Sequence, residues 1–278
     1  MEKLDSLSMA SMLVFSHLKR GAITNHVMTQ DEYRAEIATN SLYAHNWPGG
    51  VLFLRKRVGY HMLTYIVNDT NIQPHIALPT DTFIEIAQKP LADIGSAIAF
   101  WARAGFEVTL KRLRLTRSVD NMAEKSTLAA SCGGVSASQT TVDNHGIITT
   151  AAMADVKSCD DLLRACFDAK TGHLPSIEEL TADIAKGCVL CIKDPDNTVC
   201  GLLRYKPHTA SVEIKQLALR YDMRGKGLAR QLVGSFVGMH GSKKLTVWMN
   251  EGYVPAMRSY TACGFLPDGW RAHVLTIV

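Results

Sequence analysis

The sequence lacks any apolar run close to the roughly 18 residues that a membrane-spanning helix requires. It also lacks a marked excess of one charge, because 30 Lys and Arg residues face 26 Asp and Glu residues and leave a net charge of +4. Over 278 residues, that charge does not by itself predict nucleic-acid binding. With 47% hydrophobic and 20% charged residues, the composition is typical of a chain with a buried core and excludes disordered, collagen-like and coiled-coil classes.

The cysteines and the N-terminus both indicate a cytoplasmic protein. Seven cysteines, an odd number, argue against a full set of disulfides and fit reduced thiols. Cys188 and Cys191 have the C-x-x-C spacing of a metal site, but they fall on a predicted strand, where such positions point to opposite faces, so we expect no metal. Glu2 and Asp5 stand where a secretory signal would carry positive charge, which predicts an amphipathic helix instead.

A change in composition divides the chain into two parts. Residues 117–144 are rich in Ser, Thr, Ala and Gly, as linkers are. We therefore expect an N-terminal domain over 1–117, a linker over 118–144 and a C-terminal domain over 145–278, and the length agrees with two domains. Alternating strand and helix patterns predict an α/β architecture for the C-terminal domain, including a strand over 211–219, helices over 227–240 and 254–263, and a strand over 245–250.

The two parts share a short sequence similarity. A strand, a helix and a Gly-Phe pair recur over 83–106 and 247–265, and the sequence A-R-A-G-F at 102–106 lines up with T-A-C-G-F at 261–265. The recurrence indicates either a tandem of two related domains, the first one degenerate, or a chance similarity of two α/β segments.

The most informative stretch runs from Glu213 to Arg230, where a predicted strand enters a turn containing Gly225 and Gly227 and then an amphipathic helix. Such a turn leaves backbone amides unpaired at the positive end of the helix dipole, where a phosphate group binds well. The dinucleotide pattern G-x-G-x-x-G fails here because Arg230 stands at the third glycine, and the Walker pattern fails on its glycine spacing.

The sequence R-G-K-G-L-A at 224–229 resembles the R/Q-x-x-G-x-G/A pattern of the GNAT superfamily of acyl-CoA-dependent N-acetyltransferases. T-V-W-M-N at 246–250 resembles the next strand of that family, which ends in an asparagine. Ala256, Tyr260 and the pair Gly264 and Phe265 resemble the A…Y-x-x-x-G-F pattern of the following helix. The resemblance covers roughly 146–278, about half of the chain, with its motifs in order and in register.

The resemblance implies a GNAT-like mixed, mostly antiparallel sheet flanked by helices, with a smaller, degenerate GNAT-like N-terminal domain. It implies acetyl-CoA as co-substrate and a direct attack by a primary amine in a ternary complex. The residues that it assigns to CoA binding are Leu217, Ala218, Leu219, Arg224, Gly225, Lys226, Gly227, Leu228, Ala229 and Asn250.

The resemblance also implies two catalytic residues. Tyr260 would protonate the departing thiolate, for which a phenol is suited because it donates a proton without carrying charge. Glu213 stands where histone-type members carry a glutamate base, and strand alternation predicts that it shares a face with Lys215, Leu217 and Leu219. His208 and His273 remain alternative bases, and a solvent-facing role for Glu213 is equally open.

The acceptor is expected to be a small-molecule or peptide amine, without nucleic acid or membrane, and a homodimer is compatible with the resemblance. Acidic residues within 155–186 either attract a cationic amine or form the solvated faces of helices. The alternatives are a catalytically inactive CoA-binding or partner-binding protein and, less favoured, aminoacyl transfer from a charged tRNA. That last hypothesis depends on one basic cluster: Lys111, Arg112, Arg114 and Arg117.

Overall fold

A computed structural model of the protein describes residues 1–57, 59–89, 94–118 and 147–277. The chain divides into two compact units. The first comprises Met1–Arg112 and Trp270–Val278, and the second comprises Leu113–Gly269. The predicted linker lies, from residue 119 onward, outside the described residues.

The first unit combines an antiparallel meander with one parallel strand pair. Its helices are α1 (Leu7–His17), α2 (Gln30–Ala38) and α3 (Gly95–Arg103). Its strands are β1 (Glu2–Lys3), β2 (Ile23–Thr24), β3 (Leu42–Trp47), β4 (Gly50–Arg57), β5 (Tyr60–Val67), β6 (Thr82–Gln88) and part of β7 (Phe106–Arg117). Strands β3, β4 and β5 are successive antiparallel neighbours, whereas β5 and β6 are parallel.

The second unit has the same character with more helices. Its strands are β8 (Ile148–Thr150), β9 (Val189–Lys193), β10 (Val199–Pro207), β11 (Ser211–Leu219), β12 (Lys244–Asn250) and part of β13 (Leu266–Ile277). Its helices are α4 (Val156–Cys166), α5 (Ile177–Ala185), α6 (Leu228–His240) and α7 (Val254–Ala262). Strands β8 to β11 are antiparallel neighbours, and β11 and β12 are parallel. The rest of β13 belongs to the first unit, where it pairs antiparallel with β6.

Two hydrophobic cores cover the two faces of the second unit's sheet. One contains α6 and α7, and α6 contributes Leu228, Leu232, Val233 and Phe236 at helical spacing. Each of these fully enclosed side chains stabilises the fold by roughly 1.5–3 kcal/mol. The other core contains α4 and α5. The sheet is therefore a layer between two pairs of helices.

The order of elements in the second unit repeats that of the first. The first unit runs α2, β3, β4, β5, β6, α3 and β7, and the second runs α5, β9, β10, β11, α6, β12, α7 and β13. The described residues 68–81, between β5 and β6, contain no helix that would correspond to α6. The ends of α3 and α7 also agree, because Ala104 N donates to Trp101 O and Cys263 N donates to Tyr260 O, each at 3.0 Å.

Local sequence accounts for several elements. Helices α2 and α5 both begin with a capping box, formed by Thr29 with Glu32 and by Ser176 with Glu179. Cys188 and Cys191 pack in different cores on opposite faces of the sheet, as strand spacing predicts. Across the described ranges, no helix has the length and hydropathy of a membrane span.

Candidate functional site

Strands β11 and β12 diverge at their C-terminal ends. Their parallel register joins residues 211–214 to residues 244–247 and ends where Ile214 pairs with Val247. Strand β11 continues to Leu219 and β12 to Asn250. Residues 215–219 therefore lie next to an opening, the β11–β12 notch, whose other side is formed by residues 248–250.

The backbone of Leu217 and Leu219 faces this notch. Arg220 N donates to Cys200 O at 2.8 Å, so the Arg220 amide is directed towards β10. Because successive backbone groups point to opposite edges of a strand, the amides and carbonyls of Leu217 and Leu219 point away from β10. Ala218 has the reverse orientation and pairs with β10, so the structure does not bring its backbone into the notch.

The turn after β11 presents uncapped amides. Helix α6 begins after Gly227, which is its N-cap with φ 79° and supplies no side-chain cap. Gly225 has the same φ, and a Cβ atom at either glycine would meet no heavy atom within 4 Å. Within the described chain, the amides of Gly227, Leu228 and Ala229 donate to no protein acceptor. An anion can therefore approach these amides from open space.

The charged side chains of this turn are exposed, and one of them reaches β11. Arg224 Nε donates to Leu219 O at 3.2 Å, and the Cys166 thiol donates to the same carbonyl at 3.4 Å. Lys226 Nζ lies 3.7 Å from the sulfur of Met223. Sequence reasoning missed the contact of Cys166, because nothing in the pattern brings the end of α4 to the end of β11.

A β-bulge separates Glu213 from the two leucines of the notch. The pairing of β11 with β10 skips Lys215, which is the extra residue of the bulge. Before the bulge Ile214 packs in the core of α6 and α7, and after it Leu217 and Leu219 pack there. Glu213 is adjacent to Ile214 and therefore faces the side of α4 and α5. The prediction that Glu213 shares a face with both leucines is wrong, because one extra residue reverses the alternation.

Glu213 lies in a small charged group on that second face. Its carboxylate is 3.1 Å from Lys215 Nζ through one oxygen and 3.5 Å from His208 Nε2 through the other. The side chain is 20% exposed, so solvent still reaches it. The other histidine candidate, His273, belongs to the first unit, where it pairs with Ile86.

Tyr260 is buried on the opposite side of the notch from Glu213. It lies in α7 within the core that also contains Leu217 and Leu219, and its ring centroid is 5.7 Å from that of Phe265. Burial raises the pKa of the phenol above its ordinary value near 10. Tyr260 is 4% exposed, and its hydroxyl makes no hydrogen bond to any described residue. Asn250 is exposed at the end of β12.

The other charged groups considered above have local partners. The carboxylates of Asp160 and Asp161 bind Arg164 and Lys157 on the same helix, and Asp183 binds Arg204. Those of Asp168 and Glu179 accept backbone amides of their own turns, and the neighbouring Ser176 side chain lowers the pKa of Glu178. In the basic cluster, Arg112 pairs with Glu85 in the first unit and Arg114 with Asp268 in the second. This pairing favours the solvated-helix interpretation for the acidic residues, and in the basic cluster it buries Arg112 within the first unit.

No family model matches the sequence, and no curated protein matches it. Several solved structures, however, are similar to this chain in fold. A GCN5-related N-acetyltransferase from Sphaerobacter thermophilus superimposes with a TM-score of 0.55 at 12% identity, over 82% of this chain and 76% of that chain. A GNAT-family acetyltransferase from Colwellia psychrerythraea gives 0.53 at 12% identity, over 99% of this chain and 98% of that chain.

A tandem GNAT protein from the clavulanic acid biosynthesis pathway gives a TM-score of 0.51 at 13% identity, over 85% of this chain and 83% of that chain. The chain has a GNAT fold. The expected fold class, a mixed, mostly antiparallel sheet flanked by helices with a smaller N-terminal GNAT-like part, is confirmed.

Proposed function

We propose that the chain is an acyl-CoA-dependent N-acyltransferase that moves an acyl group, acetyl in the simplest case, to a primary amine. The observation that carries this proposal is that the β11–β12 notch opens directly beside a turn of uncapped amides. A diphosphate and an extended amide-containing arm are the two chemical parts of CoA that such a pair of features fits. The bound acyl-CoA would supply the activated acyl group.

The turn would hold the diphosphate. The amides of Gly227, Leu228 and Ala229 lie at the positive end of α6 and have no protein acceptor within the described chain. The exposed side chains of Arg224 and Lys226 add positive charge close by. Charge-assisted hydrogen bonds to phosphate oxygens are stronger than neutral ones, which supports this assignment.

The notch would hold the pantetheine arm. The amide of Leu219 and the carbonyl of Leu217 face it and would pair with the amide groups of the arm, and Asn250 would contact the arm from β12. The Leu219 carbonyl is engaged by Arg224 Nε. Arg224 would leave that carbonyl when it turns to the diphosphate, so the two halves of the ligand would be bound in a coupled way.

Tyr260 would act as the general acid. Its buried phenol has a raised pKa, so it stays protonated through the neutral range and is available as a proton donor to the sulfur while the carbon–sulfur bond breaks. A neutral donor in a low-dielectric core also avoids placing a charge beside the leaving group.

Glu213 would accept the proton of the amine from the other face of the sheet. Because the bulge at Lys215 turns Glu213 away from the face on which Tyr260 packs, the amine would approach from the side of α4 and α5 while the thiolate leaves on the side of α7. His208, 3.5 Å from one carboxylate oxygen of Glu213 and partly exposed, would offer a route for the proton to solvent.

The proposal is tested by measuring thiol release from acetyl-CoA over a panel of small amines, polyamines and peptides. Turnover with any amine that falls at least about 100-fold in Tyr260→Phe supports it, since general acids contribute about 10²–10⁴-fold. Tyr253→Phe is the matched control, because Tyr253 is half exposed at the start of the same helix. Absence of CoA binding by calorimetry at high micromolar concentration contradicts the proposal.

The second candidate is a catalytically inactive CoA-binding protein. The ion pair between Glu213 and Lys215 favours it, because the ammonium group at 3.1 Å already occupies one oxygen of the carboxylate that would have to accept the amine's proton. In that case CoA binds, no amine in the panel releases thiol, and Glu213→Gln leaves the measured binding unchanged.

A further inference from the structure

Strands β5 and β6 of the first unit also run parallel and then diverge, and a side chain of the same unit closes the divergence. The pairing ends where Leu63 meets Ile84. Asn25 Nδ2 donates to the carbonyls of Leu63 at 3.2 Å and of Glu85 at 3.0 Å. The amide of Tyr65 donates to Asn25 Oδ1 at 2.8 Å. One carboxamide therefore satisfies backbone groups of both diverging strands.

Strand register relates this place to the β11–β12 notch. Arg55 of β4 pairs with the first residue of β3 and with Met62 of β5. Arg204 of β10 pairs with the first residue of β9 and with Gln216 of β11. The two arginines occupy the same position in the repeated order of strands, so Met62 corresponds to Gln216.

It follows that Leu63 corresponds to Leu217 and Tyr65 to Leu219. In the second unit, the Leu217 carbonyl and the Leu219 amide face an open notch. In the first unit, the corresponding carbonyl and amide are bound by Asn25. A primary carboxamide offers one carbonyl acceptor and N–H donors, the same groups that a secondary amide of a pantetheine arm would present.

The residues beside Asn25 continue along the free edge of β5. Strand β2 pairs antiparallel with β5, joining Ile23 to Val67 and Thr24 to Ile66. Thr24 Oγ1 also donates to Tyr65 O at 2.7 Å. Residues 23–26, here called the strap, thus run where an extended ligand would have to lie.

Two further parts of the second unit's site are missing from the first. The described residues 68–81 hold no helix and hence no turn of uncapped amides beside β5. The matching hydrogen bonds at the ends of α3 and α7 align Trp101 with Tyr260, so an indole stands where the second unit has a phenol. The first unit retains the shape of the notch without the groups that would bind a diphosphate or donate a proton to a thiolate.

We infer that the strap occupies the cofactor notch of the first unit with its own amide, so that each chain binds one acyl-CoA, in the second unit. The inference rests on the proposed function for the identity of the ligand. The closure of the first notch rests on the contacts of Asn25 and Thr24 and does not depend on that identity.

Hydrogen exchange of the full chain, followed by mass spectrometry with and without CoA, tests it. In the wild type we expect CoA to slow exchange of peptides that contain residues 219–229 and to leave those of β5 unchanged, with a calorimetric stoichiometry of one. In Asn25→Ala the amide of Tyr65 loses its acceptor, and its exchange should accelerate at least about tenfold. Asn71→Ala, an exposed asparagine of the same unit, is the control and should leave β5 unchanged.

Protection of β5 by CoA, or a stoichiometry of two, would overturn the inference. So would an unchanged Tyr65 amide in Asn25→Ala. If instead the proposed function is wrong, CoA protects neither residues 219–229 nor β5. The exchange rate of the Tyr65 amide, compared between Asn25→Ala and Asn71→Ala, then still decides whether the strap closes the notch. If Asn25→Ala does not fold, the wild-type protection pattern and stoichiometry decide the question.

Discussion

Replacing Gly227 with alanine allows two effects to be measured separately: the cost in folding stability of a side chain at this backbone conformation, and the loss of affinity for CoA at the turn before α6. Gly227 has φ 79° and ψ −1°, a left-handed conformation that costs an L-residue about 1–2 kcal/mol. Its Cβ would meet no heavy atom within 4 Å, so no steric clash adds to that cost. The reduced entropy of the unfolded chain offsets about 0.4–1 kcal/mol. We therefore expect a net loss of about 1 kcal/mol and a melting temperature lower by about 2–4 °C.

The effect on CoA should be larger than the effect on folding. The added methyl group projects into the open space in front of the turn, where the diphosphate would approach the amides. We expect the Kd for CoA to rise at least about tenfold, which is about 1.4 kcal/mol. Calorimetric titration with CoA and thermal unfolding of the same preparation measure the two quantities.

Gly238→Ala is the matched control in the same helix. Gly238 is exposed, has no positive φ and also has open space around its Cβ position. Alanine there should stabilise the chain by about 0.5–1 kcal/mol and leave the Kd for CoA unchanged. The reasoning is refuted if Gly227→Ala binds CoA as tightly as Gly238→Ala, or if it unfolds at the same temperature.

Three other predictions follow from the same geometry. Tyr260→Phe should lower kcat without raising the Kd for CoA, which steady-state kinetics and calorimetry check. The wild-type rate should show no alkaline limb from this phenol below pH 9, because burial raises its pKa, and a pH–rate profile checks this. Arg204→Met should lower the free energy of unfolding by about 2–3 kcal/mol in urea titrations, because Asp183 then loses its partner in a partly buried site; a stability equal to wild type would contradict this. Burial, together with the nearby charge of Arg55, lowers the pKa of His26 to about 4. As pH falls from 6.5 towards 4, this histidine therefore takes up a proton in the unfolded chain but stays neutral in the folded chain. Stability should therefore fall by roughly 2 kcal/mol across that window and be fully present above pH 6.5, and His26→Gln should flatten the profile.

Local periodicity was enough to predict most elements of the second unit. The strand predicted over 211–219 is β11, and the helix predicted over 227–240 begins one residue later, as α6. In the first unit α2 went unpredicted, although the pair Thr29 and Glu32 forms a capping box that the sequence displays. That signal is local and could have been found.

Long-range geometry accounts for what the sequence could not predict. The bulge that turns Glu213 to the other face was not beyond prediction, because the alternation along β11 breaks at two consecutive polar residues, Lys215 and Gln216. The contact of Asn25 with Tyr65, by contrast, depends on two strands that diverge far from it in sequence. The roles assigned to Glu213 and Tyr260 stay predictions.

The central claim is that the start of α6 and the β11–β12 notch bind one CoA molecule. A crystal structure of the chain grown with CoA tests this most directly. The account predicts one CoA per chain, with diphosphate oxygens within hydrogen-bond distance of the amides of Gly227, Leu228 and Ala229 and the arm beside Leu217 and Leu219. CoA bound elsewhere, or these amides capped by protein groups while CoA is present, would contradict it.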